Sequence, residues 1–498
     1  MSVADASPTL GARLTEAIGT FNNDFFWAWL LIPLLVVVSL YVTVRTGFVQ
    51  IRLLPEMFRT LRSKPEIAPD GKKAISSLQA FMISAAARIG TGNIVGVAVA
   101  ISLGGPGAVF WMWLMALVVA GASFVESTLS QLYKVRDSTG YRGGPAYYME
   151  RGLGQRWMGV LFAVVLLLTF PMVFNAVQSN TIAGAVANSS DSLGTGSGMW
   201  LSALVGAAVV AVTALVIFGG VRRIANTAQA LIPAFAAIYL VMGVVIVGMN
   251  FERIPAMFAL IFEHAFGVRE FAAAGLATVI VQGVRRGMFS NEAGLGSAPI
   301  AAASAAVTHP VKQGLVQTLG VYFDTLVVCS VTAFIILIGY EGGTGQQVEG
   351  DLAQIAVTSA LGPWALHLMT LIIVLVAFTS VLGNYYYGES NLEYLTGSHG
   401  VMVGYKFVFL AASFLGALGS LDLVWTLADT TMGMMALVNL VAITPLATVA
   451  ARLLKDYTDQ RRQGLDPVFT RDRLPGLRGV ECWEPGRTEP AAKEEVSS

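Results

Sequence analysis

Two long apolar stretches of the chain are each broken by a run of glycine and polar residues. The first break is Ala87-Arg88-Ile89-Gly90-Thr91-Gly92-Asn93, and the second is Gly287-Met288-Phe289-Ser290-Asn291-Glu292-Ala293-Gly294-Leu295-Gly296. In hydrocarbon each unpaired backbone amide or carbonyl costs several kcal/mol, so a spanning helix breaks only where the freed groups line a protein cavity. Two such breaks in corresponding places of two halves of a chain are the best sequence pointer to a transporter binding site.

Composition supports a membrane setting. Of 498 residues, 55% are hydrophobic and 12% charged, against about 25% charged in soluble domains. Mean hydropathy is +0.67. The formal charge is zero, so no bulk field favours nucleic acid. Cys329 lies in an apolar span and Cys482 in a polar tail, which provides neither a disulfide framework nor a metal site. No nucleotide-binding loop and no nucleophile–base or metal constellation occurs, so neither an ATP-driven pump nor an enzyme is expected, and no cofactor.

With about 20 apolar residues per span, the chain reads as an all-α polytopic membrane protein with about eleven helices, near 25–44, 76–103, 107–133, 157–187, 199–219, 226–249, 271–304, 314–340, 352–387, 402–419 and 423–451. The first is a retained span and not a signal peptide, because mostly polar residues precede it. With the N-terminus outside, 24 of the 31 Lys and Arg fall on the cytoplasmic side, 3 outside and 4 within spans, as the positive-inside rule requires. That predicts a multi-pass protein of the cytoplasmic (inner) membrane with its C-terminus inside.

Setting aside the first helix leaves ten, with a break in the first helix of each five. Five is odd, so the halves have opposite topology, an inverted repeat with substrate near the midplane. The predicted organisation is an extracytoplasmic segment 1–24, an extra helix and cytoplasmic loop 25–75, a first repeat 76–249, a loop 250–270, a second repeat 271–451 and a surface or disordered cytoplasmic tail 452–498.

At a break, helix N-terminal ends offer free amides and positive dipole to a carboxylate. Carbonyl ends suit a sodium ion or an ammonium group. A zwitterionic amino acid needs both. Thr91 and Gly92 can donate backbone amides, glycine allowing close approach, and Asn93 adds a side-chain oxygen or donor. Phe170, Phe174 and Gln178 share one helix face. A glutamine in hydrocarbon needs a partner, either a substrate or a neighbouring helix. Thr379 and Ser380 form a hard-oxygen pair suited to an alkali cation, or bond back to carbonyls one turn earlier. Arg88, Arg285, Arg286, Glu126, Glu292, Asp324 and Glu389 are charges in or near spans, each costing at least about 2.5–3.5 kcal/mol near the bilayer centre. They are expected inside the protein in structural or gating roles, with Arg285 or Arg286 available to Glu292. An acidic residue among them would also serve proton relay.

Six stretches carry a family resemblance: Gly90-Thr-Gly-Asn-Ile-Val-Gly-Val-Ala98, Leu103-Gly-Gly-Pro-Gly-Ala-Val-Phe-Trp-Met-Trp113, Gly143-Gly-Pro-Ala-Tyr-Tyr-Met-Glu150, Arg286-Gly-Met-Phe-Ser-Asn-Glu-Ala-Gly-Leu-Gly-Ser-Ala-Pro299, His309-Pro-Val-Lys-Gln-Gly-Leu-Val316 and Tyr386-Tyr-Gly-Glu389. In that order, over about residues 20–455, the chain resembles the alanine or glycine:cation symporters, also called sodium:alanine symporters. The resemblance implies a leucine-transporter-like fold and sodium-coupled uptake of small neutral amino acids. It makes Thr91, Gly92 and Asn93 the carboxylate-facing part of the pocket and Phe174 with Gln178 a side wall. Met288, Phe289, Ser290 and Asn291 become the opposite wall. The carbonyls of Ala86 and Ile89 with the hydroxyls of Thr379 and Ser380 become a sodium site.

The family usually carries tryptophan where this chain has Asn384, one helical turn from Ser380. A carboxamide there enlarges the pocket and adds donors and acceptors, so a larger or more polar substrate such as serine or glutamine is expected, unless a neighbouring aromatic such as Tyr385 refills the space. The expected partners are a small neutral amino acid, sodium and the lipid bilayer, with no obligate protein partner. Proton coupling and an uncoupled channel or facilitator are the rival readings.

Overall fold

The computed structural model describes residues 10–62, 75–137, 140–267, 273–339 and 352–484. Parts of the predicted N-terminal segment, of the 45–75 and 250–270 loops and of the tail lie outside the described residues.

The architecture is almost wholly helical. Among the described residues, nine helices are long and apolar enough to cross a membrane, ten with one bent pair counted as a span. In chain order, α1 is Thr15–Arg45, α2 and α3 are the bent pair Ser77–Arg88 and Gly92–Gly104, α4 is Ala108–Leu132 and α5 is Arg156–Ser192. Then come α6 (Met199–Ile217) and α7 (Gly220–Met249). α8 (Ala273–Asn291) and α9 (Ala298–Ala303) flank the second break. α10 is Pro310–Ile338, α11 the short Leu352–Leu361, α12 Trp364–Leu395, α13 His399–Leu418 and α14 Leu421–Arg462. The span expected over 352–387 is therefore two helices, divided where Gly362, at φ +93°, and Pro363 cannot continue a helix. A two-stranded hairpin, β1 (Val135–Asp137) and β2 (Gly140–Arg142), follows α4.

Small residues set the packing at the centre. α4 carries Ala116, Ala120, Gly121, Ala122, Ser123 and Ser127, all buried, which lets neighbouring helices approach closely. At Gly121 an added methyl would lie 2.9 Å from Thr43 Oγ1 on α1. Large apolar side chains on α1, α6 and α7, among them Val37, Leu40, Leu204, Leu215, Val241 and Val244, are exposed on the outside, as lipid contact requires.

Four helices contain π-helical turns, at Asn22–Leu31, Gly92–Gly96, Thr169–Phe174 and Phe323–Cys329. Such turns gather at functional sites, and the last three surround the breaks. Within Thr169–Phe174, Pro171 supplies the cause, having no amide to continue the ladder.

The described part of the tail is mostly exposed, a surface segment held down at a few points. α14 runs to Arg462, and the following residues fold back onto the same end of the bundle. Phe469 and Trp483 are buried there. The Phe469 amide donates to the Thr308 carbonyl at 2.8 Å, the Trp483 indole to Gln131 at 3.1 Å, and Lys312 pairs with Asp466 at 2.9 Å.

Candidate functional site

The first break is built by its own side chains. α2 ends at Arg88, the backbone leaves helical geometry at Ile89 (ψ 80°), and the chain resumes at Gly92 with a bend of 53°. The freed Gly90 amide donates to the Asn93 side-chain oxygen at 2.9 Å, and the Thr91 amide donates to Gln178 on α5 at 3.3 Å. Gly92 is required sterically, since a methyl there would sit 2.8 Å from the Phe289 ring. Thr91 Oγ1 is buried without a partner among the described residues.

The second break is held from a distance. Glu292, Gly294 and Gly296 all take positive φ, at 56°, 81° and 83°; Glu292 is the strained one, because an L side chain disfavours this region. Glu126, in the C-terminal third of α4, accepts the Gly294 and Gly296 amides at 3.2 and 3.1 Å. Asn439 on α14 donates to Glu126 at 2.7 Å and to the Gly294 carbonyl at 2.9 Å, and Tyr148 bonds Asn439 in turn. Glu292 accepts from Ser297 at 2.7 Å and makes no ion pair with Arg285 or Arg286. Those two guanidiniums instead share Asp429 of α14, at 3.1 and 2.5 Å. Asp429 is the nearer partner because α8 presents 285 and 286 on turns above the break, whereas the positive φ turns Glu292 back toward Ser297.

The two breaks meet. Asn93 Nδ2 donates to Ser290 Oγ at 2.9 Å and to Asp324 at 2.6 Å; Ser290 donates to Asp324 at 2.5 Å, and Asn291 to Thr325 at 3.1 Å. Aromatic rings close one side. Phe170 and Phe174 lie 4.8 Å apart, Phe174 and Phe289 4.6 Å, Phe289 and Trp425 4.7 Å. Above Trp425 opens a vestibule of about 710 Å³, lined by Asn22, Asn23, Arg285, Arg286, Asp422 and Asp429 among others. It lies at the end of the bundle where α1 begins. Arg286 stacks over Trp425 at 4.6 Å, so ion pair, indole and phenyl ring form one stack between vestibule and break.

α12 packs directly on the first break. An added methyl at Gly383 would lie 2.8 Å from the Ala87 amide, and one at Gly90 would collide with Ser380 Oγ. Thr379 and Ser380 donate to the Val376 carbonyl at 2.9 and 3.2 Å, which leaves the oxygen lone pairs of both hydroxyls available to a cation. Ala86 and Ile89 are buried at the same junction. Met288 is buried beside Phe289 near the end of α8. Asn384, one turn past Ser380, is 1% exposed, and its amide nitrogen has no partner among the described residues.

The structure thus brings together Thr91, Gly92, Asn93, Phe174, Gln178, Phe289, Ser290 and Asn291, with Ser380 against the first break. Sequence reasoning missed Trp425, Asp429 and Asn439. The signal for Asp429 and Asn439 was present, as polar residues inside an otherwise apolar span; a lone tryptophan carried none.

A model described as the sodium:alanine symporter family matches residues 12–471. The chain is 46% identical to the amino-acid carrier protein AlsT of Bacillus subtilis (strain 168), over 94% of this chain and 97% of that one. It is 47% identical to a protein of the same organism named as a probable sodium/glutamine symporter, GlnT, over 95% and 96%. It is 38% identical to the sodium/alanine symporter AgcS of Methanococcus maripaludis, over 88% and 96%.

Proposed function

Because the chain belongs to the sodium:alanine symporter family, whose members are transporters and not enzymes, we propose that it couples inward sodium movement to uptake of a small neutral amino acid by alternating access. The observation that carries this reading is the meeting of the first break with the end of α8, just before the second, through Asn93 and Ser290. In this reading α2–α7 and α8–α14 are the two inverted halves and α1 is the extra helix. The N-terminus is outside and the tail faces the cytoplasm of a cell whose inner membrane holds the protein.

The substrate carboxylate takes the Thr91 and Gly92 amides, displacing Gln178 from Thr91, and Gln178 then turns its amide to the substrate. Phe174 and Met288–Asn291 enclose the rest. Sodium sits between the carbonyls of Ala86 and Ile89 and the hydroxyls of Thr379 and Ser380, where it fixes the first break. Its binding therefore completes the amino-acid site, and each ligand raises the other's equilibrium affinity by the same factor. The Trp425–Phe289–Phe174 stack separates vestibule from break, which suits a gated carrier better than a channel.

The substrate is proposed to reach beyond alanine and glycine to serine or glutamine. The unpaired Asn384 amide would satisfy a polar side chain, and a glutamine symporter is among the relatives named above. Asn384→Trp should then abolish uptake of glutamine while keeping that of alanine, read from competition by unlabelled amino acids; an unchanged profile removes Asn384 from specificity. For the coupling itself, alanine affinity measured with and without sodium at fixed ionic strength should differ by the factor that alanine imposes on sodium. Alanine affinity indifferent to sodium would end the scheme.

A further inference from the structure

Buried polar atoms without partners gather in one place away from the breaks. In the vestibule above Trp425, these are Asn22 Oδ1, Gln282 Oε1, the Nε and Nη2 atoms of Arg285, the Nε and Nη1 atoms of Arg286, Trp425 Nε1 and Asp429 Oδ1. All are buried and have no hydrogen-bond partner among the described residues. None of these residues is more than 6% exposed. The inner charges do not balance. Both guanidiniums crowd onto the same oxygen, Asp429 Oδ2, and a guanidinium does not shed its charge in a protein. A buried charge without a counter-charge of its own is costly. The other acids of the vestibule, Glu16 and Asp422, are exposed and mark its solvent side. α1 is built toward this place. From its π-helical turn Asn22–Leu31, Asn23 accepts from Arg285 at 2.8 Å and Asn22 donates to Thr430 at 2.9 Å. The Trp27 indole donates to the Asp429 carbonyl at 3.2 Å, and the Arg285 guanidinium lies 5.2 Å from the centre of its ring. The free donors also have a definite shape. Nε and Nη2 form one edge of a guanidinium, so Arg285 keeps a complete two-donor fork, the geometry that takes both oxygens of a carboxylate. On α14, Asp422, Trp425 and Asp429 recur at i, i+3 and i+7 and share one helix face.

We propose that the vestibule is a peripheral binding site for a free α-amino acid, in which the Arg285 fork takes the carboxylate and Asp429 Oδ1 with Asp422 takes the ammonium group. This inference rests on the amino-acid symport reading above. With the ligand in place each guanidinium has a carboxylate of its own, Arg286 keeping Asp429 Oδ2 and Arg285 turning to the ligand. Both recognised groups are common to all α-amino acids, and about 710 Å³ leaves room for a large side chain. The site therefore reads the zwitterion and not the side chain. Selection by side chain falls to the pocket between the breaks, beyond the Trp425–Phe289–Phe174 stack. No part of this recognition uses sodium. The extra helix α1, which stands outside the two repeats in the proposed reading, gains a task here, since its π-helical turn holds Arg285 and Asp429 in place.

The test uses the purified full chain in lipid nanodiscs, with equilibrium binding of labelled alanine measured in sodium and in potassium at constant ionic strength. In sodium the wild type should bind a second, weaker alanine, and in potassium the weaker one should remain. Unlabelled leucine should displace the weaker alanine; alaninamide, which lacks the carboxylate, should not. Arg285→Gln should weaken that site by roughly tenfold to a hundredfold, as loss of hydrogen bonds to a charged group implies, and leave the sodium-dependent alanine bound as before. Asp422→Asn, at an exposed position, is the second variant and should weaken the site by about twofold to fivefold. Both variants should also slow association of labelled alanine with the inner pocket while its equilibrium affinity holds.

A single alanine per chain in sodium, or a second one that survives Arg285→Gln at full strength, would overturn the peripheral site and leave sodium-coupled uptake intact. Displacement by alaninamide as effective as that by leucine would show that the carboxylate is not read, and would also overturn it. Alanine bound in neither salt would remove both this inference and the reading beneath it.

Discussion

The two breaks solve one physical problem in opposite ways. Each frees backbone amides in a region without water, and each must find them acceptors. At the first, the acceptors are neutral, close in sequence or on one facing helix: the side chains of Asn93 and Gln178. At the second, the acceptor is a full carboxylate, Glu126, set from another helix and steadied by Asn439 and Tyr148. Charge-assisted hydrogen bonds are roughly twice as strong as neutral ones. In the proposed reading, the first break is therefore the one a ligand takes over, and the second is the fixed wall against which it closes.

The largest effect should follow from removing the fixed acceptor. Glu126→Ala strands two backbone amides, each costing roughly 1–3 kcal/mol when buried and unpaired, and removes one of the two bonds that the Asn439 amide nitrogen donates. The expected loss is about 3 kcal/mol or more, seen as a lower thermal midpoint and reduced folded yield; a midpoint within one degree of wild type would mean that the second break is held otherwise. Next comes the contact between the breaks. Gly92→Ala forces a methyl against the Phe289 ring, and overpacking of this kind costs about 1–3 kcal/mol. Uptake should fall severely although the protein still folds, and the companion Phe289→Leu should restore part of it. The smallest change in stability should come from Gln178→Ala. It leaves the Thr91 amide without its neutral acceptor, worth about 1 kcal/mol, while alanine affinity drops by about tenfold or less. A destabilisation as large as that of Glu126→Ala would erase the distinction between the two breaks.

Much of this was legible in the sequence, for identifiable reasons. Breaks in long apolar runs announce themselves, and both appeared, the second shorter than the expected 287–296 because α8 stays helical through Asn291; Thr91, Gly92, Asn93, Ser290 and Asn291 lie where the two approach. Charges inside spans announced themselves by their cost, and Glu126 and Asp324 proved to be buried at the site. Which partner each charge takes was not legible. Arg285 and Arg286 pair with Asp429 across more than a hundred residues, a choice made by how α8 and α14 pack and not by spacing along the chain. How the tail is anchored was not legible for a similar reason. Its charged, proline-containing composition suggested a surface segment, yet Phe469 and Trp483 find a buried place against α4 and α10. Two aromatic residues suffice to anchor a polar stretch when a preformed surface awaits them.

The account stands or falls on coupling. Uptake of labelled alanine, glycine, serine and glutamine into proteoliposomes, driven by an inward sodium gradient with potassium as control, tests it most directly. Accumulation above equilibrium only with sodium, with glutamine or serine among the accepted substrates, is the predicted result. Uptake that merely equilibrates, or that proceeds equally with potassium, would contradict it.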